Sequence, residues 1–211
     1  MWNRVSSLLF LYLAVPGYAK NVSIHPVALQ VQVYDYAGLS PAGILEFVTR
    51  TEQILAGSGI SVEVDPCGSG LSTPCASRQA SSRQVVIRVL EGTAQKSKND
   101  LGESIVSRDG GTYATVFLGP AHCKAAEANV PQLLVLAYAA AHEVGHLLLG
   151  NEAHTSRGLM KARWTGDDFQ AMAQGRFHFT RDQVKELTRR YGRGRPAEID
   201  ADTSMAARRS P

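Results

Sequence analysis

The sequence predicts one α/β domain in which a sheet packs against a single long, buried helix. Three observations support this class. Four short segments have the apolar pattern of strands, a helical segment separates the first two, and one almost wholly apolar segment at residues 131–149 follows the last strand. The chain has 211 residues, which is enough for one domain with a sizeable core but short for two.

The first half of the domain contains the predicted strands. Residues 28–37 alternate apolar and polar side chains, as a half-buried strand does. Ser40 and Pro41 then give a helix its N-cap and first residue, and a Gly-Ser-Gly sequence ends that helix near residue 57. Three further strands are predicted, at residues 60–64, 84–90 and 112–118.

The second half is predicted to be helical. The long helix at residues 131–149 is followed by shorter helices near residues 167–174 and 179–191, the last with Thr180 as its N-cap. Residues 192–211 are polar with almost no large apolar side chains, and we expect a disordered tail. The domain itself is predicted to span residues 20–191.

Residues 1–19 have the parts of a secretory signal peptide, with Arg4 before a short apolar segment and small residues before a cleavage site after Ala19. An uncleaved anchor is the alternative, but the apolar run of about eleven residues is shorter than the roughly 20 that a membrane span needs. We therefore expect a secreted or periplasmic protein that no membrane holds after cleavage.

Composition limits the classes of partner. The hydrophobic content is 44% and the charged content 19%, as in a globular protein. The formal net charge of +3 is too small to indicate nucleic acid or an anionic membrane, and no run of Lys and Arg is interleaved with aromatic residues. Among the cysteines, Cys67 and Cys75 are natural disulfide partners outside the cytoplasm, a Cys75–Cys123 pair is the alternative, and the sequence leaves the pairing open.

The end of the long helix carries a His-Glu-x-x-His motif. His142 and His146 are four residues apart and share one helix face, so both imidazoles can reach one Zn²⁺. Glu143 projects to one side, where it can act as general base on a water bound to that ion. The alternatives are two histidines buried in an ordinary core helix, or a membrane-spanning helix, which the position of the motif near the C-terminal end disfavours.

Catalytic zinc takes three protein ligands and keeps a fourth position for water. Gly150 is suited to end the helix in a left-handed conformation, and His154, four residues further on, is the favoured third ligand. Three acidic residues are alternatives. Glu152 lies so near the turn that it would be strained, whereas Asp167 and Asp168 would suit a site with a later acidic ligand.

The motif at residues 142–146, together with Gly150, His154 and Met160, resembles the metzincin clan of zinc metallopeptidases. The clan signature is H-E-x-x-H-x-x-G-x-x-H, followed by a turn that contains methionine. The short spacing to Met160 resembles the matrixin branch, and the whole phrase is similar to a group of uncharacterised secreted bacterial zincin-like proteins. The resemblance implies an α+β zincin-like fold: a twisted mixed sheet backed by a long active-site helix, and a C-terminal subdomain with the Met-turn and helices.

The resemblance also implies residue roles. His142, His146 and His154 would bind Zn²⁺, Glu143 would be the general base, and Met160 would form an apolar floor beneath the metal. The spacing departs from the clan at one point: the glycine and the last ligand follow the second histidine by four and eight residues here, against three and six in the clan. The loop between the helix and His154 is therefore longer than in the clan. This difference affects the expected position of His154 but not those of His142 and His146.

In the clan an edge strand beside the cleft pairs with the substrate backbone. Residues 112–118 are the last predicted strand before the active-site helix, so the resemblance makes them the candidate, with Tyr113 as a substrate-binding residue. Trp164 is a candidate wall of the pocket. An ordinary strand and a core aromatic are the alternatives.

These observations predict a secreted zinc metalloendopeptidase that acts as a monomer on a peptide or protein substrate. One alternative is a secreted zinc-binding or interaction module without turnover, which Glu143 disfavours because holding a metal does not require it. A zinc hydrolase of small amides, such as a deformylase, is disfavoured by the signal peptide and by His154, since deformylases are cytosolic and use an upstream cysteine ligand.

Overall fold

The computed structural model describes residues 28–68, 83–92, 100–107 and 110–192. The predicted signal peptide, Cys75 and residues 193–211 of the predicted tail lie outside this part of the chain. The elements are β1 Leu29–Asp35, α1 Pro41–Ala56, β2 Val62–Cys67, β3 Arg83–Leu90, β4 Gly102–Ser107, β5 Gly110–Phe117, α2 Leu118–Ala128, α3 Gln132–Leu149, α4 Gly166–Ala173 and α5 Arg181–Tyr191.

The strands form one mixed sheet in the order β2-β1-β3-β5-β4. The pairs β1–β2, β1–β3 and β3–β5 are parallel, whereas β4 is antiparallel to β5 and ends the sheet. Val31 of β1 lies opposite Val64 of β2 and Val85 of β3, and all three side chains are buried. This register places β-branched residues together on the face that the helices cover.

Helix α3 lies at the centre of the molecule. It packs against β4, β5, α1 and α2, and every residue from 134 to 148 is buried. Its length and composition would suit a membrane span, but 83% of the apolar window lies inside the protein. The apolar character of α3 therefore reflects its enclosure by the sheet and two helices, as in the core helix of a folded domain.

The C-terminal segment closes over the end of α3. Helix α5 begins with a capping box formed by Thr180 and Gln183, as its N-cap residue predicts. In its last turn, Arg190 Nη1 and the Tyr191 hydroxyl both donate to the carbonyl of Leu148, at 3.1 and 3.2 Å. A carbonyl at the C-terminal end of α3, which has no partner within the helix, is thus satisfied by α5.

The predicted fold class is confirmed, because a mixed sheet backed by helices surrounds the buried motif helix. One assignment is wrong: residues 112–117 belong to β5, which pairs with β3 on one side and β4 on the other and so is not an edge strand, and Leu118 begins α2. The edge on this side of the sheet is formed by β4, which the sequence did not predict. Helix α2 was also not predicted.

Two of the three cysteines lie in the part of the chain that the structure describes. Cys67 is buried at the end of β2, and Cys123 is exposed and free on α2. The alternative Cys75–Cys123 pairing is therefore excluded, whereas the Cys67–Cys75 pairing stays a prediction because Cys75 lies outside the described residues.

Candidate metal centre and active site

Two of the candidate ligands lie one turn apart on α3. His142 and His146 are each 9% exposed, and their Nε2 atoms are 3.1 Å apart. Their rings meet edge to face, with centroids 4.8 Å apart. The spacing of four residues on a straight helix produces this arrangement, as the motif predicts.

The third histidine reaches the pair from the loop after α3. Gly150 ends the helix with a φ of 97°, which favours glycine, and the chain turns back so that His154 Nε2 lies 3.0 Å from His146 Nε2. One nitrogen from each of the three rings lies within 4.8 Å of the others. A tetrahedral zinc ion with Zn–N bonds of 2.0–2.1 Å holds its nitrogens about 3.3 Å apart, and the two Nε2 separations from His146, 3.1 and 3.0 Å, are close to this value.

The acidic alternatives for the third ligand do not join this cluster. Within the described residues the cluster contains His142, His146 and His154 and no carboxylate. Asp168 instead forms an ion pair with Lys161 and accepts hydrogen bonds from the backbone and hydroxyl of Thr165 at the start of α4. The longer loop after α3 therefore still brings the imidazole of His154 close to those of His142 and His146.

Backbone carbonyls orient the first two rings. His142 Nδ1 donates to the carbonyl of Leu159 at 2.8 Å, and His146 Nδ1 donates to that of Gly150 at 3.3 Å. A carbonyl can only accept, so each Nδ1 carries the proton and each Nε2 keeps its lone pair for a metal. Burial lowers the pKa of His142 to about 4 and also lowers that of His146, which keeps both rings neutral near pH 7, as ligands must be.

Glu143 lies in the same cleft, facing β4. Its side chain is buried, and burial raises its pKa to about 7, with a smaller rise from Asp100 and an opposing hydrogen bond from Ser104. A Cβ on Gly102 would lie 2.7 Å from Glu143 Cγ and 2.9 Å from its Oε1. The absence of a side chain at Gly102 therefore makes room for the carboxyl group. A carboxyl with a pKa near neutrality suits proton transfer.

Met160 packs against the helix that carries the first two histidines. It is fully buried, and a Cβ added to Gly145 of α3 would lie 2.4 Å from its sulfur. The methionine therefore packs against the backbone of the helix between the two ligand histidines, at a position where only glycine leaves enough space. Its neighbour in sequence, Leu159, supplies the carbonyl that orients His142.

The cleft around these residues has a volume of about 670 Å³. Residues 100–104, at the start of β4, line one side, and residues 161–164 line the other. Trp164 belongs to this second side: its indole nitrogen donates to the carbonyl of Leu159 at 3.3 Å, and its ring lies 5.6 Å from that of His142. Tyr113 is 51% exposed on β5 and does not line the cleft.

The sequence did not single out the residues on β4. Gly102 and Ser104 touch Glu143 from a strand that the sequence pattern did not predict. Gln183, whose side chain reaches the loop around His154, was not predicted as a site residue either. The alternation of small and large residues in Gly102–Ser107 was the available signal for the strand.

The mixed sheet, the buried helix α3, the three-histidine cluster and Met160 packed against α3 match the arrangement that the resemblance to zincins implies. The donor set is consistent with zinc.

Comparisons with known proteins give only structural likenesses, since no family model and no curated protein matches the sequence. The chain is similar to archaemetzincin from Methanopyrus kandleri, at 14% identity and a TM-score of 0.45, over 78% of this chain and 96% of that one. It is also similar to metalloproteinase-II from Bacteroides fragilis, at 14% identity and a TM-score of 0.47, over 80% of this chain but only 54% of that one. Both likenesses are weak, so a function must be argued from the geometry of the site.

Proposed function

We propose that the protein is a secreted, zinc-dependent endopeptidase. The observation that carries this proposal is the cluster of three histidine side chains, with a buried carboxyl group beside them in an open cleft. Three nitrogen ligands leave one position for water, which is the arrangement of a catalytic and not a structural zinc site. His142, His146 and His154 would hold the ion.

Zinc bound by these three residues would supply a Lewis acid for the scissile carbonyl and would lower the pKa of a bound water towards 7. Glu143 accepts a proton from the attacking water at its carboxylate and passes it to the departing amine. The hydrogen bond from Ser104 holds that carboxylate in place, and the helix fixes its distance from the ligands. Burial of the carboxyl group keeps bulk water from competing for the proton.

The substrate is proposed to bind along β4. Leu101 accepts a backbone hydrogen bond from Phe117 of β5, so by antiparallel alternation the backbone groups of Gly102 and Ser104 point away from β5. These groups lie at the edge of the sheet and line the cleft. An extended peptide can pair with them and so place a carbonyl near the three histidines. Trp164 faces this path from the opposite wall.

Secretion, a Cys67–Cys75 disulfide and a monomeric state belong to the same proposal. Secretion is supported by the signal-peptide pattern of residues 1–19, and the disulfide is supported by the cysteine spacing. The free Cys123 is consistent with the pairing of the other two. A non-catalytic zinc-binding module is the competing function.

Glu143→Gln distinguishes the two functions. We expect the purified chain 20–211 to bind about one zinc ion and to cleave a peptide library, and the variant to keep zinc but to lose about 10²–10⁴-fold in cleavage rate. Metal content and mass-spectrometric product analysis provide the measurements. His154→Ala is the control, because with two ligands left it should bind zinc much more weakly and should also lose cleavage. A wild type that holds zinc and cleaves nothing across the library would support the binding module instead.

A further inference from the structure

The third ligand is held differently from the first two. His142 and His146 are buried and each donates through Nδ1 to a backbone carbonyl. His154 is exposed, and among the described residues no hydrogen bond reaches its Nδ1. The direction of this ring therefore depends on the backbone that carries it, and that backbone is a loop outside any helix or strand.

One buried side chain holds this loop on both sides of His154. Gln183, in the first turn of α5, is 7% exposed. Its Nε2 donates to the carbonyl of Ala153 at 3.1 Å and to the hydroxyl of Thr155 at 3.4 Å. The single amide group thus bridges the residue before the ligand and the residue after it.

The orientation of that amide is fixed at its other end. Gln183 Oε1 accepts from the backbone nitrogen of Thr180 at 2.9 Å, as part of the capping box of α5. Because the oxygen is used there, the nitrogen must face the loop. The loop is tied further to the Met-turn, since the backbone nitrogen of Thr155 donates to the carbonyl of Met160 at 2.9 Å.

We infer that Gln183 is a positioning residue for the third metal ligand: its amide sets the backbone around His154 and thereby the affinity of the site for zinc. This inference rests on the proposed zinc site but not on peptidase activity. Groups that orient metal ligands from outside the coordination shell commonly change metal affinity by about 10–100-fold when they are removed.

Gln183→Glu separates this role from helix capping. Glutamate has the same shape and still accepts from the backbone of Thr180, so the capping box is retained. It has no N–H to donate and places an oxygen against the carbonyl of Ala153. We expect zinc affinity, measured by chelator competition on the mature chain, to fall about 10-fold or more.

Thr180→Ala is the matched control. It removes the hydroxyl that caps the backbone nitrogen of Gln183 but leaves the amide contacts with the loop intact. We expect a lower Tm of the metal-free protein, as for a lost N-cap, and zinc affinity within about twofold of the wild type. If Thr180→Ala weakens zinc binding as much as Gln183→Glu does, Gln183 acts through helix stability alone and the inference is wrong.

A double-mutant cycle with His154→Ala tests whether Gln183 acts through the ligand. We expect Gln183→Glu to have no further effect on zinc affinity once His154 is absent, whereas an effect of charge or of general destabilisation would persist. If Gln183→Glu does not fold, Thr155→Val, which removes one acceptor of the amide at similar size, takes its place in the cycle.

The outcomes separate the inference from the proposed function. Equal affinity of Gln183→Glu and wild type, or a loss that persists without His154, overturns the inference and leaves the peptidase intact. Zinc binding that depends on Gln183 in a protein without cleavage overturns the peptidase and leaves the inference standing. A wild type that binds no zinc overturns both.

Discussion

At the scale of single residues, two glycines set the shape of the site. Gly145 brings the α3 backbone close to Met160, and Gly102 leaves space for the carboxyl group of Glu143. Each makes room for a larger neighbour with a different role, so the same substitution to alanine should have different consequences at the two positions.

Gly145→Ala should destabilise the protein. The new Cβ would lie 2.4 Å from the sulfur of Met160 and 3.1 Å from the ring of Phe179, in a core that is already filled. Overpacking of this kind costs about 1–3 kcal/mol, which a lower Tm in thermal unfolding should report. Gly166→Ala is the control, since a Cβ at that residue would have no neighbouring atom within 4 Å and the Tm should be unchanged or slightly higher.

Gly102→Ala should impair catalysis and spare metal binding. The three atoms nearest to its Cβ would be two of Glu143 and the backbone oxygen of Thr115, and none of a histidine. Displacement of the general base by a fraction of an ångström to an ångström is expected to lower kcat by about 10–100-fold. Steady-state kinetics and zinc content measure the two effects, and a variant with normal kcat would contradict the contact between β4 and the base.

At the scale of elements, β4 determines how a substrate would bind. Only every second residue of a strand presents its backbone groups to one side, so the proposed pairing engages alternate residues of the peptide. N-methylation of those residues in a good substrate should lower kcat/KM by about 3–10-fold for each lost hydrogen bond, while methylation of the residues between them should have little effect. Equal losses at all positions would contradict pairing along this edge.

The same elements show what the sequence could and could not predict. Segments with strong periodicity, such as β1 and α3, were assigned within a few residues. Strand β4 was missed because, as an edge strand, it needs few apolar residues, and Ile105 is 69% exposed. Helix α2 was missed because Gly119 and Pro120 resemble a turn, whereas a proline is tolerated in the first turn of a helix.

The sequence predicted the part of the site that lies within a single helix. His142, Glu143 and His146 share one helix, so their spacing alone defines their relative positions. The contacts of Gly102 and Gln183 depend on how β4 and α5 pack against distant segments, and no short pattern encodes them.

At the scale of the whole molecule, the apolar core does not depend on the metal. The core runs from β1 through α3 to α5 and consists of packed side chains around the buried helix. We expect chelation of zinc to lower Tm while the far-UV circular dichroism at about 25 °C stays unchanged. A ligand whose free concentration is about 1,000 times its Kd stabilises the folded state by about 4.1 kcal/mol. This free energy sets the expected size of the Tm shift.

His154→Ala serves as the reference for that measurement. Because one ligand is missing, added zinc should raise its Tm much less than that of the wild type. Unfolding of the wild type on chelation would show instead that the metal holds the domain together.

The contacts of Arg190 and Tyr191 with the end of α3 have a consequence for biosynthesis. A chain leaves the ribosome amino end first, so the helix that bears the paired imidazoles emerges some forty residues before the segment that finally braces it. The carbonyl of Leu148 at the end of α3 therefore lacks these two donors until α5 has been synthesised.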